Sequence, residues 1–106
     1  MDLTIAITTN KKDIINAVNS RDSLKRQKNN ELTINGIVIF KDVDKEVSVI
    51  KTVDNKFYSS VSQSVKDTLI TICTLFTEEE ITNGIQIKVN EKVSRNDRNY
   101  LVIELI

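Results

Sequence analysis

The chain has 106 residues, 40% of them apolar and 28% charged, and its fifteen basic residues balance fifteen acidic ones. This composition is typical of one soluble globular domain. Histidine is absent and cysteine occurs once, which excludes an internal disulfide and the usual nucleophile–base pairs of enzymes. We therefore expect a protein that is not an enzyme and that has no cofactor and no metal site. No apolar run approaches the roughly 18 residues of a membrane span, and no leader segment is evident, so we expect a cytoplasmic protein.

The first elements are a strand and a helix. Apolar residues alternate from position 3 to 7, which predicts a short strand. A helix is predicted over 11–18, with Thr9 or Asn10 as its N-cap. Both elements would precede the main domain.

Residues 19–30 are predicted to form a basic connection with little regular structure. The segment contains Lys25, Arg26 and Lys28 and almost no apolar residues. Its cations are interpreted either as a solvated surface run or as an arm that contacts phosphates. The sequence leaves both interpretations open.

The strongest strand signal lies at residues 32–42, where Gly36 is followed by four apolar residues in succession. A glycine inside a strand usually marks a bulge, a bend or a close approach of two backbones. Residues 46–53 and 56–60 then alternate as two strands around an Asp54-Asn55 turn. This segment predicts a β-hairpin.

A helix follows the hairpin, from about residue 62. Its apolar residues recur at i, i+4, i+7 and i+11, as expected for one buried stripe: Val65, Leu69, Ile72 and Phe76. Two pairs have the spacing of a capping box, Ser60 with Gln63 and Ser64 with Asp67. The start of the helix is therefore predicted to within one turn.

The remaining chain is predicted to be a loop and two strands. Residues 77–83 are interpreted as a capped polar loop whose three glutamates are solvated charge. Asn83-Gly84 predicts a turn into a strand at 85–90, and residues 94–97 form a hairpin loop before a last strand at 98–106.

From residue 32 onward the predicted order is β-β-β-α-β-β, which is the order of the OB-fold. We therefore predict a mainly β (α+β) fold: a five-stranded OB-fold-like Greek-key barrel over 32–106, with a helix between strands 3 and 4. Residues 1–31 would be an N-terminal extension of strand, helix and basic linker. It is expected to cover a barrel edge or to serve as a subunit contact.

Several stretches carry a family resemblance: Gly36 with the apolar run to Lys41-Asp42, VIKTVDNKFYSSVSQSV (49–65), GIQIKV (84–89) and RNYLVIEL (98–105). On these motifs residues 33–106 resemble the small single-stranded-DNA-binding proteins of phages and mobile elements of Gram-positive bacteria. The resemblance implies coating or protection of single-stranded DNA in replication or recombination. Residues 1–32 take no part in it, and the acidic C-terminal tail of cellular single-strand binders is not expected.

Aromatic residues that could stack on bases are few. Phe57 and Tyr58 are neighbours on one strand, so their side chains must point to opposite faces. Alternation favours Tyr58 as the exposed platform and Phe57 as core, and it makes Tyr100 the second platform. Phe40 and Phe76 are interpreted as core.

The predicted binding residues combine these two tyrosines with cations on strands and in the last hairpin: Lys51, Lys56, Tyr58, Lys88, Arg95, Arg98 and Tyr100. Lys51 shares a strand face with valines, so it is placed either at the barrel rim or groove, or with its stem on the surface and its ammonium in water. The predicted site contains tyrosines and cations but no pattern of residues that would recognise the edges of particular bases. It therefore predicts binding that tolerates any sequence and weakens with salt.

The predicted function is therefore non-sequence-specific binding of single-stranded DNA. RNA stays open as a second partner, because nothing in the sequence is placed to recognise a 2′-hydroxyl. A homo-oligomer is expected, since so few aromatics give little affinity per subunit. The alternative function is a protein–protein interaction module, an anti-host or assembly factor on the same barrel. A phage-encoded protein of either kind would act in the host cell cytoplasm.

Overall fold

The computed structural model describes residues 2–8 and 11–106. The predicted capping residues Thr9 and Asn10 lie outside the described residues. The fold is mainly β, as predicted, with a curled sheet and short helices in the following order: β1 Asp2–Ile7, α1 Lys11–Asn19, β2 Asp22–Ser23, a 3₁₀ helix Leu24–Gln27, β3 Glu31–Asp42, β4 Lys45–Thr52, β5 Phe57–Ser60, α2 Gln63–Leu75, α3 Glu78–Asn83, β6 Ile85–Val93 and β7 Asn99–Leu105.

The sheet has the strand order β2-β5-β4-β3-β6-β7, with β1 added beside β3. One edge of β3 pairs with β4, and the other edge is shared: residues 31–34 pair with β6 and residues 37–41 with β1. Across the described chain, no strand pairing joins β5 to β7. The sheet therefore curls into a half-barrel with an open seam, an arrangement consistent with an OB-like barrel.

Gly36 lies where β3 changes partners. The register of β3 with β4 shifts between Ile34 and Gly36. A Cβ atom at Gly36 would come within 3.1 Å of the Lys51 Cβ and 3.2 Å of the Ile7 carbonyl oxygen. The predicted bulge and close backbone approach are both confirmed.

The main core fills the inner face of the half-barrel. Helix α2 follows β5 and precedes β6, as predicted, and buries Val65, Leu69 and Ile72 against this face. Phe76 ends the helix half-buried and packs against the same core. Leu24, from the 3₁₀ helix, is 1% exposed within this core, so the N-terminal segment contributes to it directly.

The N-cap of α2 is Ser62, and neither of the two predicted capping pairs forms. The Ser62 hydroxyl accepts a hydrogen bond from the Val65 backbone N–H at 3.4 Å. Ser60 belongs instead to β5, and its Oγ accepts from the Ser62 N–H at 3.0 Å. The cap therefore lies between the two predicted serines, because β5 extends to residue 60 before the chain turns.

A second core lies on the outer face of the sheet, beneath α1. Ala17 of α1 is fully buried against a patch of β3, β4 and β5 that includes Phe40 and Phe57. The Arg21 guanidinium lies 5.3 Å from the centre of the Phe40 ring. Strand β1 thus covers an edge of β3 and helix α1 covers the outer face of the sheet, while the division at residue 31 stays a prediction.

Two segments predicted as irregular are ordered. Residues 77–83 contain a helix, α3, whose N-cap Thr77 forms a reciprocal capping box with Glu80. This helix forms because Ile81 is fully buried and anchors it to the core. Residues 19–30 contain β2 and the 3₁₀ helix, held by Leu24 in the same way. In the part of the chain that the structure describes, no helix is long and apolar enough to span a membrane.

Candidate nucleic-acid interface

An open cleft of about 760 Å³ lies at the seam, between the edge of β5 and the start of β7. Residues 59–64 line it from one side of the seam and residues 99–101, with Glu91, from the other. Its lining also includes Val47 of β4 and three residues of the N-terminal segment, Arg21, Ser23 and Lys25. We call this feature the seam cleft. It exists because the sheet does not close between β5 and β7.

A hydrogen bond from Ser62 joins the two sides of the seam cleft. The Ser62 Oγ donates to the Leu101 carbonyl oxygen at 3.0 Å, while it also caps α2. This bond fixes the start of α2 against β7. The cleft is therefore a preformed feature, and it is rich in hydroxyl groups that can donate and accept hydrogen bonds: Ser23, Ser59, Ser60, Ser62 and Ser64.

Tyr100 is exposed, as predicted, and lies in the seam cleft. Its side chain is 38% exposed, and the residue pairs with Lys92 across the β6–β7 hairpin. Exposed aromatic rings are the groups on which the bases of a single strand stack. Tyr100 is therefore the predicted aromatic residue whose position suits nucleic-acid binding.

The predicted exposure of Tyr58 is wrong. Tyr58 is 7% exposed and packs in the main core, and its neighbour Phe57 is 8% exposed in the second core. Both faces of β5 are covered, the inner one by the core that contains Leu24 and the outer one by α1. Alternation alone could not reveal this, since α1 is distant in sequence.

Lys51 is buried, contrary to both positions predicted for it. The residue is 7% exposed, and its Nζ donates a hydrogen bond to Asn35 Oδ1 at 2.9 Å. It lies opposite Gly36 on β3, where the missing side chain leaves room for the lysine stem. Lys51 therefore belongs to neither an open groove nor a solvated surface.

The other predicted cations are not buried, and none of them lines the seam cleft. Lys56 is in the β4–β5 turn, with its Nζ 3.9 Å from Asp54. Lys88 is half-exposed on β6 and pairs in register with Glu31 and Glu104. The two arginines of the last hairpin are exposed at the end of the sheet from which Tyr100 extends: Arg95 and Arg98.

Sequence reasoning missed part of the cleft. Lys25 was noted only as part of a basic run, and Arg21 was not singled out. The guanidinium of Arg21 lies against Phe40 and donates a hydrogen bond to the Val18 carbonyl oxygen. The sequence signal that this segment packs against the sheet was Leu24. It is an isolated apolar residue in a polar stretch, and such a residue often anchors a segment to a core.

Two titratable side chains in the described part of the chain have shifted pKa values, Asp54 and Cys73. Among residues 2–8 and 11–106, no three His, Cys, Asp or Glu side chains are grouped to hold a metal ion. Burial, with a smaller effect of the Glu78 charge, raises the pKa of the Cys73 thiol, which makes it a weaker nucleophile at neutral pH. A hydrogen bond from the Thr52 hydroxyl, with help from Lys56, lowers the pKa of Asp54.

Comparison with known proteins identifies a family. A family model described as phage single-stranded DNA-binding protein, of the phi29 type, matches residues 2–106. No curated protein and no solved structure matches the chain. The matched region includes β1, α1 and β2, which the resemblance in the sequence did not cover.

Proposed function

Because the chain belongs to the family of phage single-stranded DNA-binding proteins, we propose that it binds single-stranded DNA in the seam cleft. The protein would coat unpaired strands during phage replication or recombination, in the host cell cytoplasm. The observation that carries this proposal is the position of Tyr100, an exposed aromatic ring beside an open, preformed cleft. The interaction module considered above is not favoured by the family match.

Stacking is the first source of affinity. A base on an aromatic ring contributes roughly 1–3 kcal/mol, whatever its identity, because every base has a π-face. Tyr100 provides such a ring near the start of β7. The serines that line the cleft can form hydrogen bonds with any base edge. Both features support binding that tolerates any sequence.

Phosphate contacts are the second source. Lys25 lines the cleft on its N-terminal side, and Arg98 directly precedes β7 on the other. We assign these two residues, with Arg95 in the same hairpin, to the phosphates of a strand that passes over Tyr100. Lys56 and Lys88, which lie outside the cleft lining, would attract DNA at longer range.

The N-terminal segment is part of this site. In an OB barrel, the outer face of strands 2 and 3 commonly binds oligonucleotides. The corresponding face here, on β4 and β5, is covered by α1 and buries Phe57. We therefore place the strand at the seam, where Arg21, Ser23 and Lys25 supply one side of the lining.

The proposal is tested by titrating a fluorescein-labelled single-stranded oligonucleotide of mixed sequence at two salt concentrations. We expect binding at low salt that weakens steeply as salt rises, and much weaker binding to the duplex of the same sequence. A variant with both Tyr100→Ala and Lys25→Ala should lose most of this binding while its circular dichroism spectrum is unchanged. Wild-type affinity in that folded variant would exclude the seam cleft as the site.

We further propose that copies of the protein associate along the strand. One exposed tyrosine and a formal charge of zero provide little affinity per subunit, and contacts between neighbours would raise it. Light scattering with and without a long oligonucleotide tests this, since a strict monomer in both states would contradict it. An RNA competitor of the same sequence in the titration measures the preference for DNA.

A further inference from the structure

The side chain of Tyr100 connects the seam cleft with one face of the β6–β7 hairpin. In the register of this hairpin Tyr100 lies directly opposite Lys92, and directly opposite residues share a face of the sheet. The next pair, Leu101 with Glu91, lies on the opposite face, on which Leu101 packs in the main core. We call the side of Tyr100 the outer face of the hairpin. Lys92 is exposed on this outer face and does not line the cleft.

The cleft also reaches the outer face of the sheet on the other side of the seam. Val47 and Ser59 line it there. Val47 belongs to the second core, on the outer face, and Ser59 pairs with Val49 of that same core. A strand held at Tyr100 can therefore leave the cleft over β7 and continue on the outer face. The side chain directly across the sheet from Tyr100 is then Lys92.

The net charge on the outer face differs between the two ends of the hairpin. Residues 92–100 contain three basic residues and one acidic residue. Among the residues that the structure describes, no acidic side chain forms an ion pair with Lys92. Four residues earlier on the same face, Lys88 lies in register between Glu31 and Glu104. Phosphates are therefore attracted more strongly to the end that contains Lys92.

We propose that Lys92 binds the phosphate next to the base stacked on Tyr100, so that the bound strand leaves the seam cleft across the outer face of the β6–β7 hairpin. The inference rests on the proposed function and deepens it, because it gives the strand a path beyond the cleft. Directly opposite residues have Cβ atoms about 4.5–5.5 Å apart, so one nucleotide can contact both side chains. A lysine binds a phosphate as a point charge, which agrees with binding of any sequence.

The test removes the charge of Lys92 and keeps the length of its side chain. Lys92→Met should weaken binding of a fluorescein-labelled single strand about fivefold at low salt, the scale of one exposed ion pair. It should also reduce the steepness of log K against log salt concentration by about 0.7. Lys88→Met is the matched comparison on the same strand and face. It should reduce the steepness by less than half as much, because two glutamates flank Lys88.

A double-mutant cycle with Tyr100→Ala separates a contact at the same nucleotide from general attraction. In the Tyr100→Ala background, Lys92→Met should weaken binding by less than about twofold, because the phosphate is no longer held beside the lysine. Lys88→Met should have the same effect in both backgrounds, as expected for attraction at long range. Circular dichroism establishes that each variant is folded.

An unchanged salt dependence in folded Lys92→Met would overturn the phosphate contact and leave the proposed function intact. Equal effects of Lys92→Met with and without the Tyr100 ring would overturn the path beside that ring. Failure of the wild type to bind the single strand at low salt would overturn the proposed function together with this inference.

Discussion

The hydroxyl of Ser62 donates a hydrogen bond to the carbonyl oxygen of Leu101 at 3.0 Å, and so ties the start of α2 to β7. The same hydroxyl accepts from the Val65 N–H and caps the helix. One side chain therefore spans the seam that strand pairing leaves open. The half-barrel keeps its shape at this point through Ser62 and not through a sheet ladder.

Ser62→Ala should lower the free energy of unfolding by about 1–2 kcal/mol, because it removes the cap and the bond to β7 together. Urea denaturation followed by circular dichroism measures the change. Ser64→Ala is the matched control, since Ser64 lies in the same helical turn and is not the cap, and it should cost less than about 0.5 kcal/mol. Equal effects of the two substitutions would contradict the role assigned to Ser62.

Tyr100→Ala should weaken binding of single-stranded DNA by about 5- to 100-fold, because it removes the ring on which a base stacks. Tyr100→Phe should retain most of the affinity, since the ring remains. Tyr58→Phe should bind like the wild type, because Tyr58 is inside the core. Fluorescence anisotropy gives the three affinities, and a large loss in Tyr58→Phe alone would reverse the assignment of the two tyrosines.

Lys25→Ala should reduce the slope of log K against log salt concentration by about 0.7, the value for one phosphate contact on a single strand. Lys12→Ala is the control, because Lys12 is exposed on α1 and does not line the cleft. Its slope should equal that of the wild type. Titrations at four salt concentrations measure both slopes, and an unchanged slope in Lys25→Ala would remove this residue from the site.

Leu24→Ala should destabilise the protein by about 2–5 kcal/mol, because the side chain is buried in the main core and its loss leaves a cavity. Leu75→Ala is a matched control on α2, where the leucine is 69% exposed, and it should change stability by less than about 0.5 kcal/mol. Urea denaturation compares the two.

A fragment of residues 32–106 should fail to fold, because it lacks both Leu24 and Ile7 of the main core. A cooperative unfolding transition in the fragment would contradict this prediction.

Asp54 should make stability depend on pH. Its pKa in the folded protein is lowered, first by the hydrogen bond from Thr52, so the group stabilises the fold above its unfolded pKa of about 3.9. This contribution is lost as the pH falls through the lower, folded pKa. Relative to Asp54→Asn, the wild type should lose stability between about pH 5 and pH 2, and urea midpoints across that range test this. Parallel curves for the two proteins would show that the carboxylate is not stabilised in the fold.

The sheet could be read from the sequence because its signals are local. Alternation identified β3, β4, β6 and β7, and Gly36 correctly marked the bulge, where a Cβ atom would lie only 3.1 Å from the Lys51 Cβ. The failures concern segments that are ordered by distant contacts. Helix α3 and the 3₁₀ helix each depend on one buried apolar residue, Ile81 or Leu24. A single apolar residue produces no periodic pattern, so the search for periodicity did not detect either helix.

The site was harder to predict for a related reason. Whether a strand residue is exposed depends on what covers the strand, and α1 covers the outer face of β5 from some forty residues earlier in the chain. Phe57 faces this covered side and Tyr58 faces the main core, so both neighbours are buried, whereas alternation assigned Tyr58 to the surface. The predicted exposure of Tyr100 is confirmed, since the residue is 38% exposed at the end of the β6–β7 hairpin. The seam cleft could not be predicted from the sequence, because it results from the absence of pairing between β5 and β7 in the described chain.

The parallel pairing of β2 with β5 has a consequence for the order in which the chain acquires its structure. Asp22 and Ser23 pair with Tyr58 and Ser59, so this contact cannot form on the ribosome until the hairpin has left the exit tunnel. Until then Leu24 has no core to enter, and the basic segment around it stays solvated. Such non-local contacts slow folding, and the nascent chain would acquire its proposed phosphate-contacting side only after the sheet that supports it.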